Sequence, residues 1–202
     1  MLVTSNTSPF PYLYIENLYT DKELELIFNE LDYFQSNENV FLSDSLEATD
    51  TQGNSLAIKK SLFLDHIFRN RDYSNILKIN SKKIFKPGFI CRRPDNYFFK
   101  NFAPTKDYTL ISYYENGGKY NSHCDESVAT LCVWLWKEPK KFQMGNFYFP
   151  EFDLKFEVQN NHAIVFPGSI LHAVDEVTMS FDNAEAGYGR YSICNFMNFN
   201  LS

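Results

Sequence analysis

The order of signals along this chain predicts an α+β fold in which helices buttress one sheet of a strand-rich core. Helical periodicity dominates the first part of the sequence. After Phe89 the texture changes to short apolar or alternating runs separated by Gly, Pro, Asn and Asp. Seven or more such runs in succession predict a sandwich or barrel. No internal repeat, low-complexity tract or long linker divides the 202 residues. One domain is therefore expected over 1–202, with a helical support over about 1–88 and the core over about 89–202.

The elements follow from local chemistry. Thr20-Asp21-Lys22-Glu23 has the form of a capping box, a hydroxyl followed three residues later by a carboxylate. Leu24, Ile27, Phe28, Leu31 and Phe34 then repeat at helical spacing, so a helix is expected from about 20 to 35. Residues 36–57 are rich in Ser, Asn, Asp, Thr and Gln and read as a long loop. A second helical region is expected over about 61–85, broken near Asn70 to Ser74, with Leu62, Phe63, Ile67, Ile76, Leu77 and Ile84 facing inward. Strands are expected over Tyr108–Tyr114, Ala129–Trp136, Phe147–Pro150, Leu154–Val158, Ala163–Phe166, Ala173–Val177 and Arg190–Phe199.

Twenty Phe and thirteen Tyr predict an aromatic-rich core, and 22% charged residues are normal for a folded chain. A net charge of -6 argues weakly against a tight nucleic-acid binder and makes a modified nucleobase a less favoured substrate. The basic residues Lys59, Lys60, Arg69, Arg71, Lys78, Lys82, Lys83, Lys86, Arg92 and Arg93 read as a solvated helix face, with a phosphate-binding patch as the alternative. The four cysteines are scattered without a Cys-x-x-Cys, and two lie in apolar runs as small buried hydrophobes would. That usage suits a reducing compartment, and no signal peptide or membrane-length apolar run is visible, so a cytoplasmic protein without membrane partners is expected.

The chemistry-bearing residues are His123 and Asp125, in His123-Cys124-Asp125, and His172, in Phe166-Pro167-Gly168-Ser169-Ile170-Leu171-His172. Two imidazoles and one carboxylate are the donor set that holds Fe(II) on one face and leaves other positions open. A His and an Asp two apart on a strand end project to one side and can reach one ion, while Cys124 points away. His66 lacks an acidic partner at suitable spacing. His162 lies at the opposite end of the strand from His172, about 15 Å away at about 3.3 Å per residue. His172 is therefore the better third ligand. Taken alone, His-x-Asp also fits a surface histidine beside an acid, or a zinc site.

The stretch Tyr114-Glu115-Asn116-Gly117-Gly118-Lys119-Tyr120-Asn121-Ser122-His123-Cys124-Asp125 resembles the entry to the iron site of the prolyl 4-hydroxylase-like group of 2-oxoglutarate- and Fe(II)-dependent dioxygenases. Further matches follow in family order. They are Ala129 to Leu135, Gly145 to Pro150, Ala163 to Pro167 with Leu171 to Val174, and Arg190-Tyr191-Ser192. The resemblance covers about 108–199. It implies a double-stranded β-helix, or jelly-roll, with Fe(II) on His123, Asp125 and His172. It also implies Arg190 on the distal carboxylate of 2-oxoglutarate, with Tyr114 and Ser192 reaching the same cosubstrate. Arg190 is the only Lys or Arg after His172. The spacing from His172 to Arg190 is longer than the family's, and the excess over 180–187 reads as turn-like and as lengthening a hairpin. The collagen-type branch has Lys where this chain has Arg190.

What the resemblance implies for function is hydroxylation of an unactivated C–H bond. O2 and 2-oxoglutarate are consumed, succinate and CO2 are released, and ascorbate serves as reductant. No side chain beyond the metal ligands needs to act as a catalyst. A prolyl residue in a peptide or protein is the expected substrate, with the loop 36–57 and Lys86–Pro104 covering the mouth. A free amino acid or other small molecule is the first alternative, and a non-catalytic metal-binding jelly-roll module is the second.

Overall fold

Thr20 starts a helix where its chemistry predicts one. In the computed structural model, which describes residues 1–37, 49 and 51–200, the Glu23 N–H donates to Thr20 Oγ1 at 3.3 Å and the Thr20 N–H donates to Glu23 Oε2 at 2.8 Å. The helix buries Ile27, Leu31 and Phe34 of the stripe read from the sequence, and Leu24 and Phe28 are half-buried. Most of the loop expected over 36–57, and any action of it as a lid, lies outside the described residues.

The chain order is β1 (Leu2–Asn6), β2 (Tyr12–Glu16), α1 (Asp21–Gln35), β3 (Ala57–Ile58), β4 (Lys60–Phe63), α2 (Leu64–Ile67), α3 (Asn75–Ile84), β5 (Lys106–Tyr114), β6 (Lys119–His123) and β7 (Ala129–Leu135). It continues with β8 (Phe142–Met144), β9 (Phe147–Phe149), β10 (Leu154–Phe156), β11 (His162–Phe166), β12 (His172–Val174), β13 (Val177–Met179), α4 (Phe181–Glu185) and β14 (Arg190–Asn198). A seven-stranded sheet runs β1-β2-β11-β7-β14-β5-β4, and a five-stranded sheet runs β10-β9-β12-β6-β3. The ladders of both sheets are antiparallel. The architecture is a jelly-roll of two facing sheets, with helices on the outside of the larger one.

Side-chain alternation builds two cores from this arrangement. One face of the large sheet, with Ile111, Tyr113, Leu131, Val133, Leu135, Tyr191 and Ile193, packs on Ile27, Leu31, Ile76 and Leu77 of α1 and α3. The other face, with Tyr114, Cys132, Trp134, Ile164 and Phe166, packs on Phe147, Phe149 and Val174 of the small sheet. Covering both faces is why all seven residues of β7 are buried, and why that run is apolar on both faces apart from Thr130 instead of alternating.

The first 88 residues differ from the helical support expected of them. β1 and β2 extend the large sheet, β4 closes its other edge against β5, and β3 pairs with β6. Lys60 to Phe63 is a strand although its apolar residues also fit a helical period, because β5 leaves an edge open there and pairing outweighs local preference. Ile67, expected inside, is 45% exposed at the end of the short α2. Residues 181–185 form a helix, not a bare turn, and the Ala184 carbonyl accepts the Tyr113 hydroxyl at 2.7 Å. Lys86–Pro104 does not cover a mouth. Phe89, Ile90, Cys91, Phe99 and Phe102 pack into the core on the helical side.

The basic stretch is likewise not a uniform solvated face. Arg71 makes a two-pronged pair with the buried Asp107, and Lys59 is only 9% exposed. Asn195 donates to Asp107 and Thr109, and Asn80 donates to Asn195 and accepts from Tyr19. This chain of hydrogen bonds satisfies the polar groups buried between β5, β14 and α3. Among the described residues, no helix is long and apolar enough to cross a membrane.

Candidate metal centre

The inner faces of the two sheets enclose a cavity of about 660 Å³. His123 ends β6, His172 begins β12, and the two are Cα partners across that ladder. Asp125 follows the end of β6, where its N–H donates to the Gly168 carbonyl at 2.8 Å. His123, Asp125 and His172 each place one ligand atom so that all lie within 4.8 Å of one another. His123 Nε2 is 3.7 Å from Asp125 Oδ1, and His172 Nε2 is 3.5 Å from Asp125 Oδ2.

The imidazole tautomers are set by the backbone. Nδ1 of His123 lies 2.9 Å from the Asn121 carbonyl, and Nδ1 of His172 lies 2.9 Å from the Ile170 carbonyl. A carbonyl only accepts, so each Nδ1 carries the proton and each Nε2 presents a lone pair toward Asp125. Burial pulls the His123 pKa down to about 4, with a further push from His172, and burial alone does the same to His172. Both rings are therefore neutral near pH 7, the state a metal ligand requires. Burial raises the Asp125 pKa, opposed by the Thr130 hydroxyl, which donates to Oδ2 at 2.6 Å. A cation at this point would offset that cost of burying the carboxylate.

Two neighbours hold the Asp125 carboxylate and its backbone. Thr130→Val removes the hydroxyl that orients Oδ2 and is expected to weaken divalent-metal affinity about 10- to 100-fold, read by calorimetry with Mn(II). Gly168 lies against Asp125 and Ser127. A Cβ there would collide with the Ser127 carbonyl and hydroxyl and come 3.1 Å from the Asp125 carbonyl. Gly168→Ala is expected to cost about 1–3 kcal/mol of stability, seen as a lower Tm, with weaker metal binding as the Asp125 turn shifts.

Deeper in the fold, Arg190 begins β14 opposite Tyr114. It is fully buried, and none of its three guanidinium nitrogens has a hydrogen-bond partner among the described residues. Its Cζ sits 4.9 Å from the centre of the Tyr114 ring. Tyr114 and Ser192 line the cavity; Arg190 is not among the lining residues but packs against the Tyr114 ring. Burial holds the Tyr114 hydroxyl well above its ordinary pKa, so it is a neutral donor.

Of the remaining histidines, His162 starts β11 and meets the Tyr14 hydroxyl at 3.0 Å, apart from the three converging residues. His66 lines the cavity beside Phe63. Cys124 is exposed and also lines the cavity, its thiol 3.3 Å from the Ser169 carbonyl. The sequence reading missed Lys59, which lines the cavity, donates to Ser112 Oγ at 2.9 Å and lies 4.8 Å from the centre of the Tyr120 ring. It also missed Cys132 and Cys194 as cavity residues. Only their apolar surroundings were visible, and those fit any buried thiol.

No protein-family model and no curated protein sequence matches the chain. Solved structures do match its fold. OsALKBH1 aligns with a TM-score of 0.57 at 12% identity, over 98% of this chain and 100% of the other. A prolyl-4-hydroxylase from Pseudomonas putida aligns with a TM-score of 0.54 at 12% identity, over 93% and 92% of the two chains. An oxidoreductase of the 2OG-Fe(II) oxygenase family from Burkholderia pseudomallei aligns with a TM-score of 0.51 at 11% identity, over 93% and 84%. At these identities the likeness is one of fold: the chain is a double-stranded β-helix of the kind these three proteins share.

Proposed function

We propose that residues 1–202 act as one Fe(II)- and 2-oxoglutarate-dependent dioxygenase domain that hydroxylates an unactivated C–H bond. The observation that carries this reading is the fully buried Arg190 guanidinium, without a hydrogen-bond partner among the described residues and packed on Tyr114 of the cavity that holds His123, Asp125 and His172. An uncompensated buried cation is costly, and a native fold keeps one where a ligand supplies the counter-charge. A dianionic keto-acid and Asp125 are anions that a divalent ion, the Arg190 guanidinium and the Lys59 ammonium in the cavity wall can offset. The donor set and the buried guanidinium therefore fit Fe(II) and 2-oxoglutarate together.

In this reading His123, Asp125 and His172 would hold Fe(II). When bound, with O2 and 2-oxoglutarate, it would supply the oxidising power to convert C–H to C–OH, with succinate and CO2 as co-products. Arg190 offers a planar, always-charged donor to the distal carboxylate, for which Tyr114 must yield some of its contact with the guanidinium. Ser192 and the neutral Tyr114 hydroxyl add hydrogen bonds from the same wall. Phe147, Phe166 and Val174 line the inner cavity and keep it dry. Ascorbate would keep the iron reduced between turnovers.

For the substrate we propose a prolyl residue in a peptide or protein. The fold shared with the Pseudomonas putida prolyl-4-hydroxylase supports this. So does the aromatic lining at the more exposed part of the cavity, where Phe63, Tyr108 and Phe196 offer flat apolar faces to a pyrrolidine ring. The test is incubation with Fe(II), ascorbate, 2-oxoglutarate and proline-containing peptides. Succinate released in step with a gain of one oxygen atom on the peptide is expected. Succinate released only with a free amino acid or another small molecule would overturn the prolyl assignment and keep the dioxygenase. Failure to bind 2-oxoglutarate in the presence of Mn(II) would overturn both and leave a metal-binding module.

A further inference from the structure

Cys132 on β7 and Cys194 on β14 are far apart in sequence and directly opposite each other in the antiparallel register. Both are free, both line the cavity, and their sulfur atoms are 3.4 Å apart. Directly opposed residues of an antiparallel pair lie within the Cα separation a disulfide needs, about 4.4–6.8 Å. An S–S bond of about 2.04 Å asks the sulfurs to approach by about 1.4 Å from the observed 3.4 Å. Cys194 is half-buried, so a small oxidant entering the cavity can reach the pair.

We propose that Cys132 and Cys194 are a redox-sensitive modification site, a thiol pair that a peroxide closes to a disulfide across the cavity wall. The Cys194 S–H donates to the Cys132 sulfur, which marks Cys132 as the sulfur better placed to act as nucleophile. As a thiolate it attacks one peroxide oxygen and breaks the O–O bond. It becomes a sulfenic acid, and the departing hydroxide takes up the thiol proton as water. Cys194 sulfur then attacks the sulfenic sulfur. The S–S bond forms, the S–O bond breaks, and hydroxide leaves with the Cys194 proton as a second water. Two thiols are oxidised and one peroxide is reduced to two waters.

The closure disturbs the wall next to it. Ser192 Oγ lies 3.2 Å from Cys132 Sγ and 3.9 Å from Cys194 Sγ, so drawing the sulfurs together changes the contacts of Ser192. The effect on cosubstrate binding rests on the function proposed above, whereas the disulfide itself does not.

The experiment treats the full metal-free chain with hydrogen peroxide, denatures it, alkylates it and maps the peptides by mass. Two of the four cysteines should escape alkylation, with loss of two hydrogen atoms and a Cys132–Cys194 cross-linked peptide that dithiothreitol releases. Cys194→Ser should abolish the cross-link and leave Cys132 trapped as a sulfenic acid by dimedone. Full alkylation after peroxide, or a cross-link that involves Cys91 or Cys124 instead, would overturn the proposal. Calorimetry with Mn(II) then separates the two readings. Binding of 2-oxoglutarate at least about tenfold weaker in the oxidised form supports a regulatory pair. Equal binding by both forms overturns the regulatory consequence. A disulfide that forms in a protein that never binds 2-oxoglutarate upholds the thiol pair and overturns the dioxygenase.

Discussion

An Asp125→Ala variant is expected to lose metal binding and turnover together. Asp125 supplies the only negative charge among the three converging groups, and both imidazoles point their Nε2 atoms at it. Removing one charged partner from a buried polar cluster costs about 4 kcal/mol or more, roughly a 10³-fold loss in affinity. Calorimetry with Mn(II) and a succinate assay with Fe(II) read the two effects. The metal-free variant should be no less stable than the parent, because burial raises the Asp125 pKa and so disfavours its charged form in the fold. A variant that binds metal within tenfold of the parent would remove Asp125 from the site.

Arg190→Met is expected to separate stability from binding. With no ligand bound, the parent buries a guanidinium whose nitrogens lack hydrogen-bond partners among the described residues. An apolar side chain of similar length removes that cost, and such exchanges at buried charges are neutral or stabilising by about 1–4 kcal/mol. The variant should therefore melt at or above the parent's Tm. Its affinity for 2-oxoglutarate should fall about 100-fold or more, the effect of deleting a charge-assisted two-pronged contact. Metal affinity should stay near the parent's, because Arg190 is not among the converging ligands. A variant that melts lower and binds 2-oxoglutarate normally would make Arg190 a structural residue.

Much of this arrangement was legible in the sequence where one residue's chemistry decides the outcome. Thr20 and Glu23 can do little else than cap α1, and the spacing of Ile27, Leu31 and Phe34 sets its buried face. The strands with nearly continuous apolar runs, such as Ala129 to Leu135, stood out for the same reason. Features decided by distant partners did not. Lys60 to Phe63 is a strand because β5, far along the chain, offers an edge. β1 and β2 form a local hairpin, but it is held in the sheet by the distant β11, which no local spacing reveals.

The site shows the same division. His123, Asp125 and His172 could be picked out because few side chains carry that donor chemistry. The backbone carbonyls that fix their tautomers, and Thr130 that orients the carboxylate, are ordinary residues made important by position. Arg190 was visible as the last cation of the chain, but its burial without a hydrogen-bond partner among the described residues appears only in three dimensions. The opposition of Cys132 and Cys194 depends on the register of two strands far apart in the chain, and nothing in either local run encodes it.

The most direct test of the central claim is a crystal structure with Mn(II) and the 2-oxoglutarate analogue N-oxalylglycine. The account predicts one anomalous peak bound by His123 Nε2, His172 Nε2 and Asp125, with the analogue chelating the ion and its far carboxylate on Arg190. A metal bound elsewhere, or an analogue whose far carboxylate leaves the guanidinium unpaired, would contradict it.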